Sequence, residues 1–262
     1  MSKPDCRVVL SEILLNGAEH RFKEFLELSE SLCGSEKIVL VYIKTVLNEC
    51  VDEVFDGIRH ELITIHREGV IVIAADAADT GAVKSACGKL AELGGGEVIS
   101  YSKPVGTDGK LGECYRNLEN TAAYRIIYGD GRIITDETIQ PNLKNENTLI
   151  YPEASAKKLT KLFSKGDMEE INGTFGKFLD DISCNTINNY RIALMKLVME
   201  LFFDETVKSR DRMGAYSKRV LSAPNRETIQ NIFSEMFGEL IPSYKRFEDG
   251  HTAQSSRQNR IQ

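Results

Sequence analysis

The amino-acid sequence predicts an α+β fold, in which a ferredoxin-like sheet with packed helices is followed by an all-α helical domain. Two observations lead to this prediction. Up to Ile139, strand-like and helix-like segments follow one another in the order β-α-β-β-α-β-α-β, which is the split βαβ pattern with one added helix and strand. From Pro152 onward, the apolar residues keep a helical spacing and no candidate strand occurs.

The elements of the first half are predicted by apolar spacing and by turn residues. The run 37–44 (KIVLVYIK) is rich in β-branched residues, which is typical of a buried central strand. Asn48 is a good helix cap. The stretch 62–66 alternates, 67–69 form a turn and 70–74 (VIVIA) is typical of a second buried strand, which together predict a hairpin. In chain order, we expect helices at 5–16 and 19–32, the central strand, a helix through 51–58, strands at 62–66 and 70–74, a helix from about 80 to the glycines 94–96, and a strand at 98–102.

The segment 100–139 predicts a strand, one amphipathic helix at 109–128 and a closing strand at 132–135. The apolar stripe of this helix has spacings of four, three, four and four residues: Leu111, Tyr115, Leu118, Ala122 and Ile126. The segment contains no nucleophile–base pair, no metal-ligand spacing and no phosphate loop. These properties favour a relay or sensing module over an enzyme.

After Ile139 the composition changes. The polar stretch 140–147 carries Pro141 and predicts a linker. Helices are expected at 153–165, 167–182, 185–208 and 225–247, with Asp167 and Asn185 as caps. The third of these helices is apolar nearly all round, which predicts a buried core helix. The basic residues that follow it predict a solvated, flexible connection: Lys208, Arg210, Arg212, Lys218 and Arg219.

These patterns divide the chain into four parts. We expect N-terminal helices in 1–33, an α/β domain in 34–139, a helical domain in 140–247 and a flexible tail in 248–262.

Composition excludes several functional classes. A formal net charge of −6 argues against a chain that grips nucleic acid by itself, because such binding neutralises phosphates with Lys and Arg. The six cysteines form no CxxC pair, which argues against a zinc ribbon and indicates a reducing, cytoplasmic location. The longest apolar run, 38–43, is far too short for a membrane span, and no signal peptide is evident, so no membrane contact is expected.

No catalytic, cofactor-binding or metal-binding residue is predicted. The glycines 94–96 follow a helix rather than precede one, so they do not form a phosphate loop, and none of the four histidines is three or four residues from another. Three residues of the 109–128 helix form a candidate ligand pocket: Tyr115, Tyr124 and Arg125. The commoner role of such aromatic residues is to pack a helix on a sheet, and both interpretations stay open from the sequence.

The segment 100–139 resembles the degenerate GGDEF-like region that precedes the DNA-binding domain in many AraC-family regulators, especially those similar to YesN. The matching features are Val105-Gly106, the helix with Tyr115, Tyr124-Arg125, Tyr128-Gly129 and the closing strand. The stretch LSEILLNG at 10–17 and the segment around Tyr151-Pro152 and Ser164–Asp167 resemble the neighbouring parts of the same proteins. The family usually has Glu-Ala where Asn120-Thr121 stand here.

This resemblance implies transcription regulation without catalysis. In active GGDEF-type cyclases the hairpin turn carries two glycines and a pair of acidic residues. The turn 66–69 (HREG) has only one glycine and one acidic residue. The resemblance further implies a homodimer, a possible small-molecule effector, and DNA contact only through a helix-turn-helix domain outside this chain, towards which 248–262 would lead. A small-ligand sensor is the alternative, and a nucleotide cyclase or phosphodiesterase is the third hypothesis.

Overall fold

A computed structural model describes residues 5–44, 50–65, 68–74, 80–93, 98–106, 109–202 and 207–258. It is a mixed α+β structure with two units, Met1–Ile139 and Gln140–Gln262. The first unit holds a five-stranded antiparallel sheet with helices, and the described part of the second unit is helical. The glycines 94–96, Asn48 and the turn residues His66 and Arg67 lie outside the described residues, so the predictions made for them have no structural counterpart here.

The N-terminal helices belong to the first unit. Helix α1 (Cys6–Asn16) begins where the Asp5 carboxylate accepts a hydrogen bond from Arg7 N (2.9 Å), and it ends at Gly17, whose φ of 69° favours glycine. A short 3₁₀ turn (Glu19–Arg21) leads into α2 (Phe22–Leu28). The predicted end of this helix at residue 32 is wrong, because Ser29 is extended and its hydroxyl accepts a hydrogen bond from Leu32 N (3.2 Å) in a local turn.

The sheet is built around one strand. Its strands are β1 (Lys37–Ile43), β2 (His60–Ile65), β3 (Glu68–Ala74), β4 (Ile99–Tyr101) and β5 (Val105–Gly106). The order is β2-β3-β1-β4 with antiparallel neighbours, and β5 pairs with the start of β1. Every residue of β1 after Lys37 is buried, which confirms the predicted central strand.

Helices cover both faces of this sheet. Val39, Val41 and Ile43 of β1 pack in one cluster with residues of α3 (Val51–Val54) and α4 (Thr80–Leu93). The neighbouring residue Tyr42 points to the opposite face, where its ring meets an aromatic residue of α5 (Leu111–Ala122). Helix α3 is shorter than the predicted 51–58 segment, because the backbone at Phe55 leaves the helical region.

The predicted helix 109–128 is two helices. Helix α5 ends at Ala122 and α6 (Arg125–Tyr128) follows, because Tyr124 N donates to Thr121 O in a tighter 3₁₀-type bond (3.1 Å) at the junction. All five residues of the predicted apolar stripe are buried, so the periodicity identified the buried face correctly although the helix is interrupted.

The predicted strand 132–135 is wrong, and so is the first half of the predicted linker 140–147, because residues 140–143 are helical while 144–147 form a turn. Ile133 forms only an isolated parallel bridge with Ile99. Helix α7 (Asp136–Leu143) begins directly afterwards and contains Pro141. The hydroxyl of Thr138 accepts a hydrogen bond from Thr135 N (3.2 Å), as in a capping box. This local bond stabilises the start of a helix that the polar composition of the segment does not predict.

The helical unit contains α8 (Glu153–Lys165), α9 (Met168–Ile182), α10 (Ile187–Leu201), α11 (Val207–Ser222) and α12 (Arg226–Gln258). Asp167 caps α9 as predicted, through a 3.0 Å hydrogen bond from Glu170 N. Helix α10 is capped by Thr186 rather than by Asn185, and it ends at Leu201 rather than at residue 208. In the described ranges, no helix is long and apolar enough to cross a membrane.

Two further predictions for this unit are wrong. The basic residues 208–219 belong to helix α11, whose Tyr216 and Val220 are buried and whose Arg219 forms a bidentate ion pair with Glu235 of α12 (2.8 and 2.6 Å). The predicted end of the last helix at residue 247 is also wrong, since α12 continues to Gln258, because a low apolar content argues against packing and not against helix formation.

Helix α10 is less buried than predicted. Ile192 and Met199 are each 51% exposed, on the side opposite its buried stripe of Tyr190, Leu194 and Leu197. The apolar residues therefore continue around the helix, but only one face is covered in this unit.

Asparagine side chains hold the start of the helical unit together. The Asn185 side chain is fully buried and makes three hydrogen bonds, accepting from Ile150 N (2.9 Å) and donating to Ile150 O (2.8 Å) and Ile182 O (3.0 Å). The Asn142 amide of α7 donates to the carbonyls of Ser183 (2.6 Å) and Asn185 (2.7 Å). The α9–α10 turn is thereby fixed against both α7 and the segment before α8.

We expect Asn185→Ala to lower the free energy of unfolding by about 3 kcal/mol, because it leaves buried backbone groups without partners. The midpoint of urea unfolding, followed by far-UV circular dichroism, measures the change. Asn188→Ala is the matched control: Asn188 is exposed in the first turn of α10, three residues after Asn185, and the same substitution there should change stability by less than about 0.5 kcal/mol. Equal effects of the two substitutions would contradict the role assigned to Asn185.

Candidate functional site

The predicted ligand-pocket residue Tyr115 lies in the interior of the first unit. It projects from α5, is 2% exposed, and its ring meets that of Tyr42 on β1 edge-on, with 6.0 Å between the ring centroids. Such a pair stabilises the packing of a helix on a sheet. The structure therefore places Tyr115 in a packing contact.

The other two predicted pocket residues lie at the start of α6. Tyr124 is buried, with its ring centroid 6.5 Å from that of Tyr128, whose hydroxyl donates to Thr138 O (3.1 Å). The guanidinium of Arg125 forms an ion pair with Asp130 (3.0 Å), in the turn that follows α6. These contacts hold the α6 turn against the start of α7.

Other residues line two clefts among the described residues of this unit. The cleft between α1 and β2, and the cleft beside α5 that contains Ser102 and Cys114, include none of Tyr115, Tyr124 and Arg125. The structure thus brings Tyr124 and Arg125 together at one turn and leaves Tyr115 against the sheet.

A further polar arrangement of the first unit lies at the junction between the N-terminal helices and α5. The carboxylate of Glu19, in the 3₁₀ turn after α1, accepts two hydrogen bonds from the first backbone N–H groups of α5, those of Leu111 and Gly112 (2.8 Å each). Lys110, which precedes α5, makes no side-chain cap, so Glu19 satisfies this helix end from 92 residues away. The negative carboxylate also lies at the positive end of the helix dipole.

Gly112 allows α1 and α5 to approach closely. A Cβ atom at this position would lie 2.8 Å from Ile13 O and 3.2 Å from the Glu19 carboxylate. Neither distance is compatible with an ordinary side-chain contact, so only glycine fits between the end of α1 and the start of α5. We call this arrangement, formed by Ile13, Glu19, Leu111 and Gly112, the α1–α5 junction.

Arg21 fixes the 3₁₀ turn that carries Glu19. Its guanidinium forms a bidentate pair with Glu24 (2.7 and 2.8 Å) and a further hydrogen bond with Glu12 of α1. This hydrogen bonding by Arg21 lowers the pKa of the Glu24 carboxyl. Glu24 therefore stays charged, and Arg21 links α1 to α2 across the turn.

Sequence reasoning did not identify Glu19 or Gly112. Gly112 falls inside a helical pattern, where glycine costs about 1 kcal/mol relative to alanine, and that local inconsistency is a signal of a close backbone approach. Glu19 gives no such signal, because a carboxylate in a polar turn is ordinary until the fold brings it to a helix end.

The thiols that lie near or inside the core are poor nucleophiles. Burial raises the pKa of Cys87 on α4 to about 12, and burial also raises the pKa of Cys114 on α5. The reactive thiolate form of both is therefore scarce at neutral pH. Among the residues that the structure describes, no cluster of three or more His, Cys, Asp and Glu side chains could hold a metal ion.

Comparison of the chain with protein-family models, with curated proteins and with solved structures found no match. The candidate site is accordingly the one that the geometry itself identifies. In the described residues of the first unit it is the α1–α5 junction, which joins two helices by backbone hydrogen bonds and close contact.

We expect Gly112→Ala to destabilise the protein by about 2 kcal/mol, because the added methyl group must push α1 away from α5. Gly173→Ala in α9 is the matched control, since a Cβ there meets nothing within 4 Å and alanine should stabilise that helix by up to about 1 kcal/mol. Urea unfolding of both variants measures the difference. The close approach would be refuted if both substitutions stabilised the protein.

We expect Cys87 to react with a thiol reagent at pH 8 only when the protein opens, whereas Cys33 and Cys184, which are exposed, should react at once. Reaction traces of the wild type and of Cys87→Ser check this, and the variant should lose a slow phase only.

Unfolding returns the Cys87 thiol to its ordinary pKa of about 9.0, so as the pH rises the thiol ionises in the unfolded state before it ionises in the folded state. Its contribution to stability should therefore decline as the pH rises from 9 towards 12.

Proposed function

We propose that the chain is a non-catalytic signal-transmission region of an AraC-type transcription regulator. In this proposal the first unit is a degenerate GGDEF-like domain, the second unit is a helical domain, and the protein acts as a homodimer in the cytoplasm. DNA contact would be made by a helix-turn-helix domain that is not among these 262 residues.

The strand order supports the ferredoxin-like part of the proposal. Read as β4-β1-β3-β2, with antiparallel neighbours and with α3 and α4 after β1 and β3, the sheet has the connectivity of a split βαβ unit. The GGDEF-like assignment further depends on the sequence features around Val105-Gly106 and Tyr124-Arg125.

The composition of the β2–β3 hairpin supports the absence of cyclase chemistry. Nucleotide cyclisation needs carboxylates that hold divalent metal at a triphosphate, together with glycines that leave room for the substrate. The sequence HREG at 66–69 supplies one carboxylate and one glycine, and a strand of β-branched residues follows directly.

The α1–α5 junction is the observation that carries the proposal. A signal that moves the N-terminal helices must move α5 as well. Glu19 is hydrogen-bonded to the first N–H groups of α5, and Gly112 lies in close contact with the backbone of Ile13. Such a linkage transmits displacement without any reaction, which suits a relay between an input and a DNA-binding output.

The test is a fusion of this chain to a monomeric helix-turn-helix DNA-binding domain. If the chain dimerises, the fusion should bind DNA with two half-sites at least about tenfold more tightly than DNA with one, because the second contact becomes intramolecular. The gain should depend on half-site spacing. Gel-shift titration measures both affinities, and sedimentation of the chain alone measures the dimer.

Two variants separate transmission from dimerisation. Gly112→Ala alters the α1–α5 junction and should change the preferred half-site spacing, whereas Gly173→Ala should leave it unchanged. Equal affinity for one and two half-sites, with a monomer in sedimentation, would rule out the regulator. Formation of a cyclic dinucleotide from GTP with Mg²⁺ or Mn²⁺ would show instead that the chain is an enzyme.

A further inference from the structure

A second feature of the first unit is the cleft between α1 and β2, with a volume of about 770 Å³. One wall is a single face of α1, since its lining residues recur along the helix: Arg7, Val8, Ser11, Glu12, Leu15 and Asn16. The opposite wall contains five consecutive residues, 60–64. Helix α1 therefore runs alongside the strand for most of its length.

Five consecutive strand residues line a cleft through the edge of the strand. Side chains alternate between the two faces of a sheet, so a cleft on one face would be lined by every second residue. In the described residues β2 pairs with β3 alone, and it ends the strand order. The cleft thus follows the free edge of the sheet.

The direction of the backbone groups of β2 follows from β1. Leu40 O accepts from Ser102 N (2.9 Å) and Lys44 N donates to Val98 O (3.1 Å), so the even-numbered residues of β1 direct their backbone groups to the β4 side. The odd-numbered residues of β1 therefore bond to β3.

The same alternation continues across β3 to the sheet edge. Val41 is paired with Ile71, so the odd-numbered residues of β3 face β1 and the even-numbered ones face β2. Val70 is paired with Ile63, which therefore uses its backbone groups in the ladder. The N–H and C=O groups of Leu62 and Thr64 point away from β3 and into the cleft.

The walls of the cleft combine apolar surface with an excess of carboxylates. Val8 and Leu15, two turns apart on α1, are 53% and 41% exposed beside the strand edge. The lining carries the acids Glu12, Asp52 and Glu61. Glu12 is hydrogen-bonded to Arg21 and Glu61 lies 3.8 Å from Arg7, whereas the exposed Asp52 contacts the His60 ring. With His60 neutral, these three acids and two bases give a formal charge of −1 (two bases minus three acids).

We propose that this cleft binds an extended peptide segment that carries basic side chains, which adds a strand antiparallel or parallel to the free edge of β2. Backbone hydrogen bonds to Leu62 and Thr64 supply affinity, as in other cases of β-strand addition, and the exposed apolar residues of α1 receive alternate side chains. The carboxylates select for basic residues. This inference is independent of the proposed regulator function.

A second copy of the chain is a poorer occupant of the cleft. Pairing of β2 with β2 of another copy would place two linings of the same negative sign together, which opposes association. A basic peptide removes that repulsion and forms the same backbone bonds.

The probe is an acetylated and amidated hexapeptide in which lysine and valine alternate, with a glutamate–valine hexapeptide as the matched control. The lysine peptide should bind at millimolar concentration or below, at least about tenfold more tightly than the glutamate peptide, and more weakly as salt rises. Amide exchange measured by NMR should slow at Leu62 and Thr64, whose N–H groups gain partners, and change less at Ile63.

Three variants test the components of the cleft. Thr64→Pro removes one outward N–H, which an edge strand tolerates, and should weaken the lysine peptide at least about tenfold. Leu15→Gln should weaken it, whereas Leu93→Gln, at an exposed leucine on α4 outside the cleft, should not. Asp52→Asn should weaken it more than Asp56→Asn, since Asp56 is exposed but does not line the cleft.

Several outcomes would overturn the inference. These are no binding of the lysine peptide to the wild type, equal binding of the glutamate peptide, or unchanged exchange at Leu62 and Thr64 in the bound state. Protection of these amides that depends on protein concentration, together with a dimer in sedimentation, would assign the cleft to a second copy. If Thr64→Pro does not fold, the comparisons of Leu15→Gln with Leu93→Gln and of Asp52→Asn with Asp56→Asn still test the proposal.

Discussion

Burial of β1 on both faces and both edges is the constraint on which the first unit depends. A buried strand must pair all its backbone groups, so β3 lies along one edge while β4 and β5 share the other. Its alternating side chains must also be covered twice, by α3 and α4 on one face and by α5 on the other. Each of these elements is positioned by its contact with the same seven residues.

The two features that we connect with function are consequences of that arrangement. Because α5 is fixed on β1 through Tyr42 and Tyr115, its first N–H groups reach a place where Glu19 can accept from them. Because β1 takes the centre of the sheet, β2 is left at the edge with its outer backbone groups directed into a cleft. The linkage between helices and the open edge therefore have a common origin.

The helical unit is organised by side-chain hydrogen bonds as well as by apolar packing. Phe175 of α9 stacks on Phe233 of α12 and meets Phe237 of α12 edge-on. Asn142 and Asn185 satisfy the backbone of the turns that connect the helices. The aromatic rings fill the core between the two helices, and the buried amides accept only one arrangement of their partners. The unit consequently has both a core and a defined register.

The sequence by itself determined several of the buried segments. The β-branched run of β1, the hairpin, the stripe through Leu111 and Tyr115, and the cap at Asp167 were all predictable, because apolar periodicity and capping are local properties. In α7 the polar composition predicted a linker, whereas the capping hydrogen bond to Thr138 favours a helix. The structure follows the capping bond, so the composition gave the wrong prediction there.

Only the tertiary structure decided the candidate sites. Glu19 acts on α5 across 92 residues, and the edge of β2 becomes a cleft only when α1 lies beside it. Likewise Asn185, expected as a cap, is instead a buried bridge to Ile150. These roles depend on groups that are distant in sequence, so no local pattern contains them, and the fold must first bring their partners within hydrogen-bond distance.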